Sequence, residues 1–247
     1  MLRQEGIKGL WHKFRRRGLK GASLFMWTKL RYQLCSAFER AWDKKHGVDT
    51  SGQIDLDKLV VVGDNKTLGH SVVSTSPRMF KYLSRYFSEG AESHTFIDVG
   101  CGKGRVVLLA SQLGFGRVIG IEFSPLVAET ARENIARFRG TRQARDVCSI
   151  VTEDASKYAL PSGPLVLFLM NPFEPELARS FIANVLEAFD RNKEPIRICL
   201  TGSVPDSVNG TAKLLEASNR VRRRHAGSSP YFADTYLPYV YWVFDVV

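Results

Sequence analysis

The sequence predicts an α/β fold: a mostly parallel sheet with helices on both faces, preceded by a helical extension. Three observations predict it. From Thr95 onward strand-like and helix-like segments alternate, the pattern of a sheet built from crossover connections. The runs Val118 to Ile121, Leu165 to Met170 and Ile196 to Leu200 are apolar with no polar alternation, as strands buried on both faces require. Glycines at 100, 102 and 104 join the first strand to a helix with no loop between them.

The elements follow in order. Residues 1 to 20 interleave Lys8, Lys13, Arg15, Arg16, Arg17 and Lys20 with Leu10, Trp11 and Phe14, a basic stretch of interfacial character. From Ala22 to Lys45 the residues Leu24, Trp27, Leu30, Leu34, Phe38, Ala41 and Trp42 recur at spacings of three and four, which predicts an amphipathic helix. Three uses compete for it: packing on the main domain, lying on an anionic membrane, or guiding a polyanionic substrate. Residues 47 to 75 are rich in Gly, Asp, Asn, Ser and Thr and read as a linker or lid, with Leu59 to Val62 a short strand or buried connector. Ser76-Pro77 opens a helix to Phe87, because serine caps and proline suits a first helical position.

The regular part then runs as strand Thr95 to Val99, helix Gly104 to Leu113, strand Arg117 to Ile121, helix Pro125 to Arg139, strand Ser149 to Thr152, strand Leu165 to Met170, helix Glu176 to Phe189 and strand Ile196 to Leu200. The aromatic, β-branched tail Tyr239 to Val247 predicts a late strand, antiparallel to something near residue 220. The expected partition is a basic helical extension at 1–46, a linker or lid with a helix at 47–92, and a catalytic domain at 93–247.

Composition bounds the function. The chain has 247 residues, 44% hydrophobic and 24% charged, which excludes disordered and collagen-like classes. Its net charge of +10 is unevenly placed: residues 1 to 50 hold 12 Lys/Arg against 4 Asp/Glu, and the other 197 hold 23 against 21. The basicity belongs to the extension. Four dispersed cysteines (Cys35, Cys101, Cys148, Cys199) have neither zinc-site nor disulfide-scaffold spacing, which predicts a reducing, cytoplasmic setting. Arg16-Arg17 resembles a twin-arginine signal faintly, but Lys29 and Arg31 interrupt the apolar region that should follow. The longest apolar run is far short of a bilayer span.

Residues 96 to 111, FIDVGCGKGRVVLLAS, carry the strongest chemical signal. Alternate glycines let the backbone turn tightly and approach a ligand, while the new helix offers free amides. Asp98 ends the first strand, at the sheet edge where such folds bind ligands. A dinucleotide site would want Gly or Ala at 105, and this chain has Arg105. A carboxylate at 98 also suits an amino or sulfonium cation better than a pyrophosphate. Glu122, ending the second strand, can accept both hydroxyls of a ribose. After the third strand, Glu153-Asp154-Ala155 offers a carboxylate to an adenine amino group.

FIDVGCGKG, VIGIEFS and TEDA together resemble motifs I to III of the class I S-adenosylmethionine-dependent methyltransferases, over about residues 95 to 173. The resemblance implies a Rossmann-like fold with a mostly parallel seven-stranded sheet and S-adenosyl-L-methionine as cofactor. It implies that Asp98, Gly100, Cys101, Gly102 and Gly104 line the methionine part, that Glu122 and Phe123 meet the ribose, and that Asp154 and Ala155 meet the adenine. Ser76 is expected near the methionine end. Met170-Asn171-Pro172-Phe173 is similar to the Asn-Pro-Pro-aromatic motif of methyltransferases that modify amino groups, with one proline missing. By that similarity Asn171, Pro172 and Phe173 are the candidate catalytic residues, Asn171 also touching the cofactor. The missing proline argues against a nucleobase acceptor, and a structural use of Asn-Pro at a strand end competes.

Glu174 is the candidate base. No His is spaced with Cys, Asp or His for a metal, so no metal is expected. The leading expectation is methyl transfer to a nitrogen of a protein or small molecule. Two alternatives stand beside it: a nucleic-acid methyltransferase guided by the basic segment, and a non-catalytic adaptor that binds cofactor and docks on a membrane or partner through residues 1–45. Segments 47–75 and 202–236, with Arg222, Arg223, Arg224, His225, Tyr231 and Tyr236, are the expected walls of the acceptor pocket.

Overall fold

The computed structural model describes residues 26–27, 30–55, 59–62, 72–141, 144–171, 174–202, 205–232, 235 and 238–247. The basic stretch 1–20 therefore lies outside the described residues.

Seven strands form one sheet in the order β3-β2-β1-β4-β5-β7-β6. Strands β1 (Thr95–Val99), β2 (Arg117–Glu122), β3 (Cys148–Thr152), β4 (Leu165–Met170) and β5 (Ile196–Gly202) run parallel, while β7 (Val240–Val246) is antiparallel to both β5 and β6 (Val221–Ser228). Chain order reverses beside β1, whose neighbours are β2 and β4. Each expected strand appears within a residue or two of its place. The tail strand pairs beside residue 220 as expected, Val221 opposite Val246.

Alternate residues of the central strands feed two cores. On one face Phe96, Val118, Val166, Phe168 and Val243 meet helices α2 (Pro77–Ser84) and α3 (Arg105–Ser111). Phe96 is the hub, with its ring centroid 5.0 Å from Phe115 and 6.0 Å, nearly perpendicular, from Phe80. On the other face Ile97, Val99, Ile119, Leu167, Ile198 and Phe244 meet α5 (Pro175–Asn192) and α6 (Pro205–Glu216). Double burial explains why these strands show no alternation.

Two elements depart from the sequence expectation. Residues 202–236, expected as a wall, contain α6 and β6, and none of their described residues lines the cleft described below; Tyr236 lies outside the described residues. Helix α6 carries Asn209, Gly210 and Thr211, weak helix formers, and is held by Val208, Ala212 and Leu215 buried against the sheet. Strand β6 is an edge: Arg222, Arg223, Arg224 and His225 are exposed, and Arg223 and Arg224 pair with Glu216 and Asp245. Charged edges of this kind discourage further strand pairing. Residues 59–62, expected as a short strand or a buried connector, are the connector, with Leu59 buried and the Val62 amide donating to the Phe123 carbonyl at 2.8 Å.

Residues 30–46 form helix α1, and it packs on the domain. Trp42 and His46 stack on Phe138, at 6.2 and 5.5 Å between centroids. At the other end Arg31 sits between the rings of Trp27 and Tyr231 and donates to the carbonyls of Phe232 and Thr235. Helix α4 (Pro125–Arg137) completes the layer beside α3.

Candidate active site

A cleft of about 1050 Å³, open mouth included, lies at the carboxyl ends of β1, β2 and β4. It stands where the strand order reverses, the place where such sheets bind ligands. The turn from β1 to α3 forms its floor: the amides of Gly100 and Cys101 both donate to the Ile121 carbonyl at 2.9 Å. The three glycines all have positive φ, 76°, 53° and 85°, yet they serve different ends. A Cβ on Gly100 would project into open space in the cleft, and one on Gly102 would come within 2.8 Å of Val72 Cγ1. Gly104 does not line the cleft. Its missing Cβ lets α3 close on α4, where Ala131 Cβ would stand 3.2 Å away.

Two carboxylates share this floor. Asp98 and Glu122 are 3% and 2% exposed. Glu122 accepts from the amides of Gly102 and Ser124, both at 2.9 Å. Burial pushes its carboxyl above the ordinary value in spite of these bonds. Burial, with Glu122 adding to it, pushes Asp98 well above its usual range. Among the described residues nothing donates a hydrogen bond to Asp98. The Cys101 thiol is also raised, by burial and then by both carboxylates, so it is a neutral wall. A ligand with an amino or sulfonium group would bring a cation to Asp98, and a sugar would bring hydroxyl donors to Glu122. At the far end Phe123, Asp154 and Ala155 line the cleft. Asp154 Oδ1 also shapes its turn, accepting from the Ser156 amide and hydroxyl at 2.9 and 2.7 Å.

Asn171 ends β4 with φ 47° and lines the cleft beside Met170 and Leu177. Its amide donates to the Thr201 carbonyl at 2.8 Å. Its Oδ1 occupies the place a Cβ on Gly202 would take, so β5 must carry glycine there. Pro172 and Phe173 lie outside the described residues. Glu174 is exposed at the start of α5 and is not among the cleft residues. Ser76 caps α2 as expected, its hydroxyl accepting from the Met79 amide at 3.1 Å, and is not among the cleft residues. Its neighbours Ser74 and Thr75 line the cleft instead, and the Thr75 hydroxyl donates to the Met170 sulfur at 2.7 Å.

Sequence reasoning placed Thr50 only within the expected wall 47–75 and missed the structural part of Arg105. Arg105, 3% exposed, binds the N-terminal helix to the site: Nε donates to Thr50 Oγ1 at 2.7 Å, and the guanidinium pairs with Asp43 at 3.3 Å and Glu39 at 3.8 Å. Burial raises Asp43, but its bonds from Thr50, Arg105 and Ser51 outweigh this and hold it below its usual value. Asn134 on α4 exchanges bonds with the Asp49 backbone at 2.8 Å, and Lys103 reaches Asp49 and the Ser51 carbonyl. Residues 49–51 are thus a strap fixed over the glycine turn. One signal for this was legible: Glu39 and Asp43 are four apart, on one helix face, and Arg105 opens a helix where its charge needs a partner. Among the described residues no group of His, Cys, Asp and Glu could hold a metal.

Residues 96–191 match the family model described as Methyltransferase domain. The chain resembles the solved magnesium protoporphyrin IX methyltransferase of Synechocystis PCC 6803 with bound SAM, with a TM-score of 0.52 at 11% identity over 69% of this chain and 79% of that one. The glycopeptide N-methyltransferase MtfA gives 0.52 at 14% identity, over 69% and 90%. The fold is that of the class I methyltransferases. Among curated proteins, the ribosomal protein L11 methyltransferase of Thermosipho africanus is 30% identical over 84 residues, 34% of this chain and 31% of that protein. The chain thus spans about a third of the length of this relative. The cleft lies at the switch point of this fold, at the carboxyl ends of β1, β2 and β4.

Proposed function

We propose that the chain is an S-adenosyl-L-methionine-dependent methyltransferase acting on a nitrogen of a protein or small molecule. The observation that carries this is the buried pair Asp98 and Glu122 around a glycine turn of positive φ, with Asp154 at the far end of one cleft. S-adenosylmethionine bound there supplies a methyl group activated by its sulfonium charge. Asp98, Gly100, Cys101 and Gly102 would hold its methionine part, Glu122 and Phe123 the ribose, and Asp154 and Ala155 the adenine. Asn171, on the same cleft wall, would accept a hydrogen bond from the acceptor nitrogen and aim its lone pair, the orientation an in-line transfer needs. Pro172 and Phe173 would follow Asn171 at the acceptor. The name of the L11 methyltransferase relatives favours a protein acceptor.

The proposed partition is 93–247 as the catalytic domain, 47–92 as its strap and leading helix, and 1–46 as an extension. Titration calorimetry with S-adenosylhomocysteine tests the cofactor half, with one site per chain expected. No heat from protein with native circular dichroism would overturn it. The acceptor half is read by labelled-methyl transfer in a lysate, where protease-sensitive macromolecular label or small-molecule label is expected. Label lost to ribonuclease would instead favour the nucleic-acid alternative that the +8 of residues 1 to 50 suggests.

A further inference from the structure

We propose that the outer face of α1 docks the protein on an anionic membrane surface, beside the mouth of the cleft. Among the described residues helix α1 meets the domain along one face: Cys35 and Asp43 are buried, and Glu39 and Trp42 face the domain through Arg105 and Phe138. Along the edge of that face Trp27, Leu30, Leu34 and Phe38 follow one another at spacings of three and four, and are 49, 54, 48 and 42% exposed. A single exposed leucine needs no explanation, but an aligned row does. Charge is segregated in the same sense. Within 30–46 both acids, Glu39 and Asp43, are turned to Arg105, while Arg40, Lys44 and Lys45 are exposed. Arg78 of α2 adds a further cation across a shallow groove, 5.8 Å from the Phe38 ring.

An apolar row flanked by outward cations and aromatic rings matches the chemistry of an acidic headgroup layer, which takes up both at once. A nucleic acid would use the cations and leave the leucines in water. Among the described residues no helix is long and apolar enough to cross a membrane; the proposed contact is made by the face of α1 lying on the surface. The row lies close to the cleft: the groove under Phe38 reaches Pro77, two residues from the cleft residue Thr75, and the cleft residue Val73 is 44% exposed.

Co-sedimentation of the full chain tests this, with vesicles of phosphatidylcholine alone and of phosphatidylcholine with phosphatidylserine. Binding to the second and not the first is expected, weakening as salt rises. The double variant Leu34→Glu with Phe38→Glu, at exposed positions and checked for unchanged Tm, should lower the partition coefficient at least about tenfold by losing the apolar contribution. Lys44→Glu with Lys45→Glu should do the same at low salt. Equal binding to both vesicles, no binding, or binding indifferent to the Leu34/Phe38 variant would overturn the proposal. So would a stable dimer in the absence of lipid that the same variant makes monomeric, since the row would then belong to a second copy. None of these readouts involves cofactor, so the proposal stands or falls apart from the methyltransferase reading.

Discussion

Asp98 shows how a ligand site differs from a stabilising contact. Its folded pKa, and that of Glu122, lie above the ordinary carboxylate values, so the folded chain holds these protons more tightly than the unfolded one. Stability from this source is greatest below the unfolded pKa values, about 4, and is lost as pH rises through the folded ones. Asp98→Asn is therefore expected to raise the Tm of the ligand-free protein near neutral pH, by the equivalent of about 1–2 kcal/mol. It should also flatten the fall in Tm with rising pH and abolish S-adenosylhomocysteine binding. A Tm below that of the parent at pH 7 would show that the Asp98 charge is compensated. Gly102→Arg makes the steric counterpart, since φ 53° and a Val72 methyl at 2.8 Å both oppose a side chain. Calorimetry should find its cofactor binding gone with circular dichroism native. Asp98, Glu122 and the glycines were legible because a local motif specifies them. Thr50 and Ser74 were legible only as members of the segment 47–75 expected to wall the site, because through-space bonds decide which of its residues reach the cleft.

At the scale of elements, the joint between α1, the strap and α3 rests on Arg105. A buried guanidinium that loses one carboxylate keeps its desolvation cost, so Asp43→Ala is expected to destabilise by about 3–5 kcal/mol. Urea unfolding measures this, and a loss under about 1 kcal/mol would place the burden on Glu39 and Thr50. Hydrogen exchange at the amides of Thr50 and Ser51, which now bond Asp43 at 2.8 and 2.6 Å, should accelerate in the same variant. Elements that follow local rules were predictable: α2 from Ser76-Pro77, β4 from its unbroken apolar run. Helix α6 was not, since Asn209, Gly210 and Thr211 disfavour a helix and only burial of Val208, Ala212 and Leu215 secures it. A partner for the tail strand near residue 220 was expected, but the extent of β6, Val221–Ser228, was not legible, because an exposed edge of arginines has no inner face to alternate with.

For the whole molecule, the net charge of +10 separates a nearly neutral domain from a basic N-terminal part, but the structure does not let that part be a simple appendage. Deleting residues 1–46 would uncover Phe138 and leave Arg105 without Glu39 and Asp43. A fall in Tm on the order of 10 °C is expected, from about 3–5 kcal/mol at 2–4 °C per kcal/mol for a chain of this size. Differential scanning fluorimetry checks it, and an unchanged Tm would mean that the contacts of α1 contribute nothing to stability. The sequence by itself determined the sheet, the order of its parallel strands with their helices, and the glycine turn with its two carboxylates. Each of these follows from burial on both faces of a strand, or from backbone angles that only glycine adopts without strain. Tertiary structure alone decided where α1 goes, what the strap covers and which side of residues 202–236 is structural. These depend on pairings between residues as far apart as Arg31 and Thr235, or Asp43 and Arg105, and a linear pattern carries no record of partners that meet only when the chain has folded.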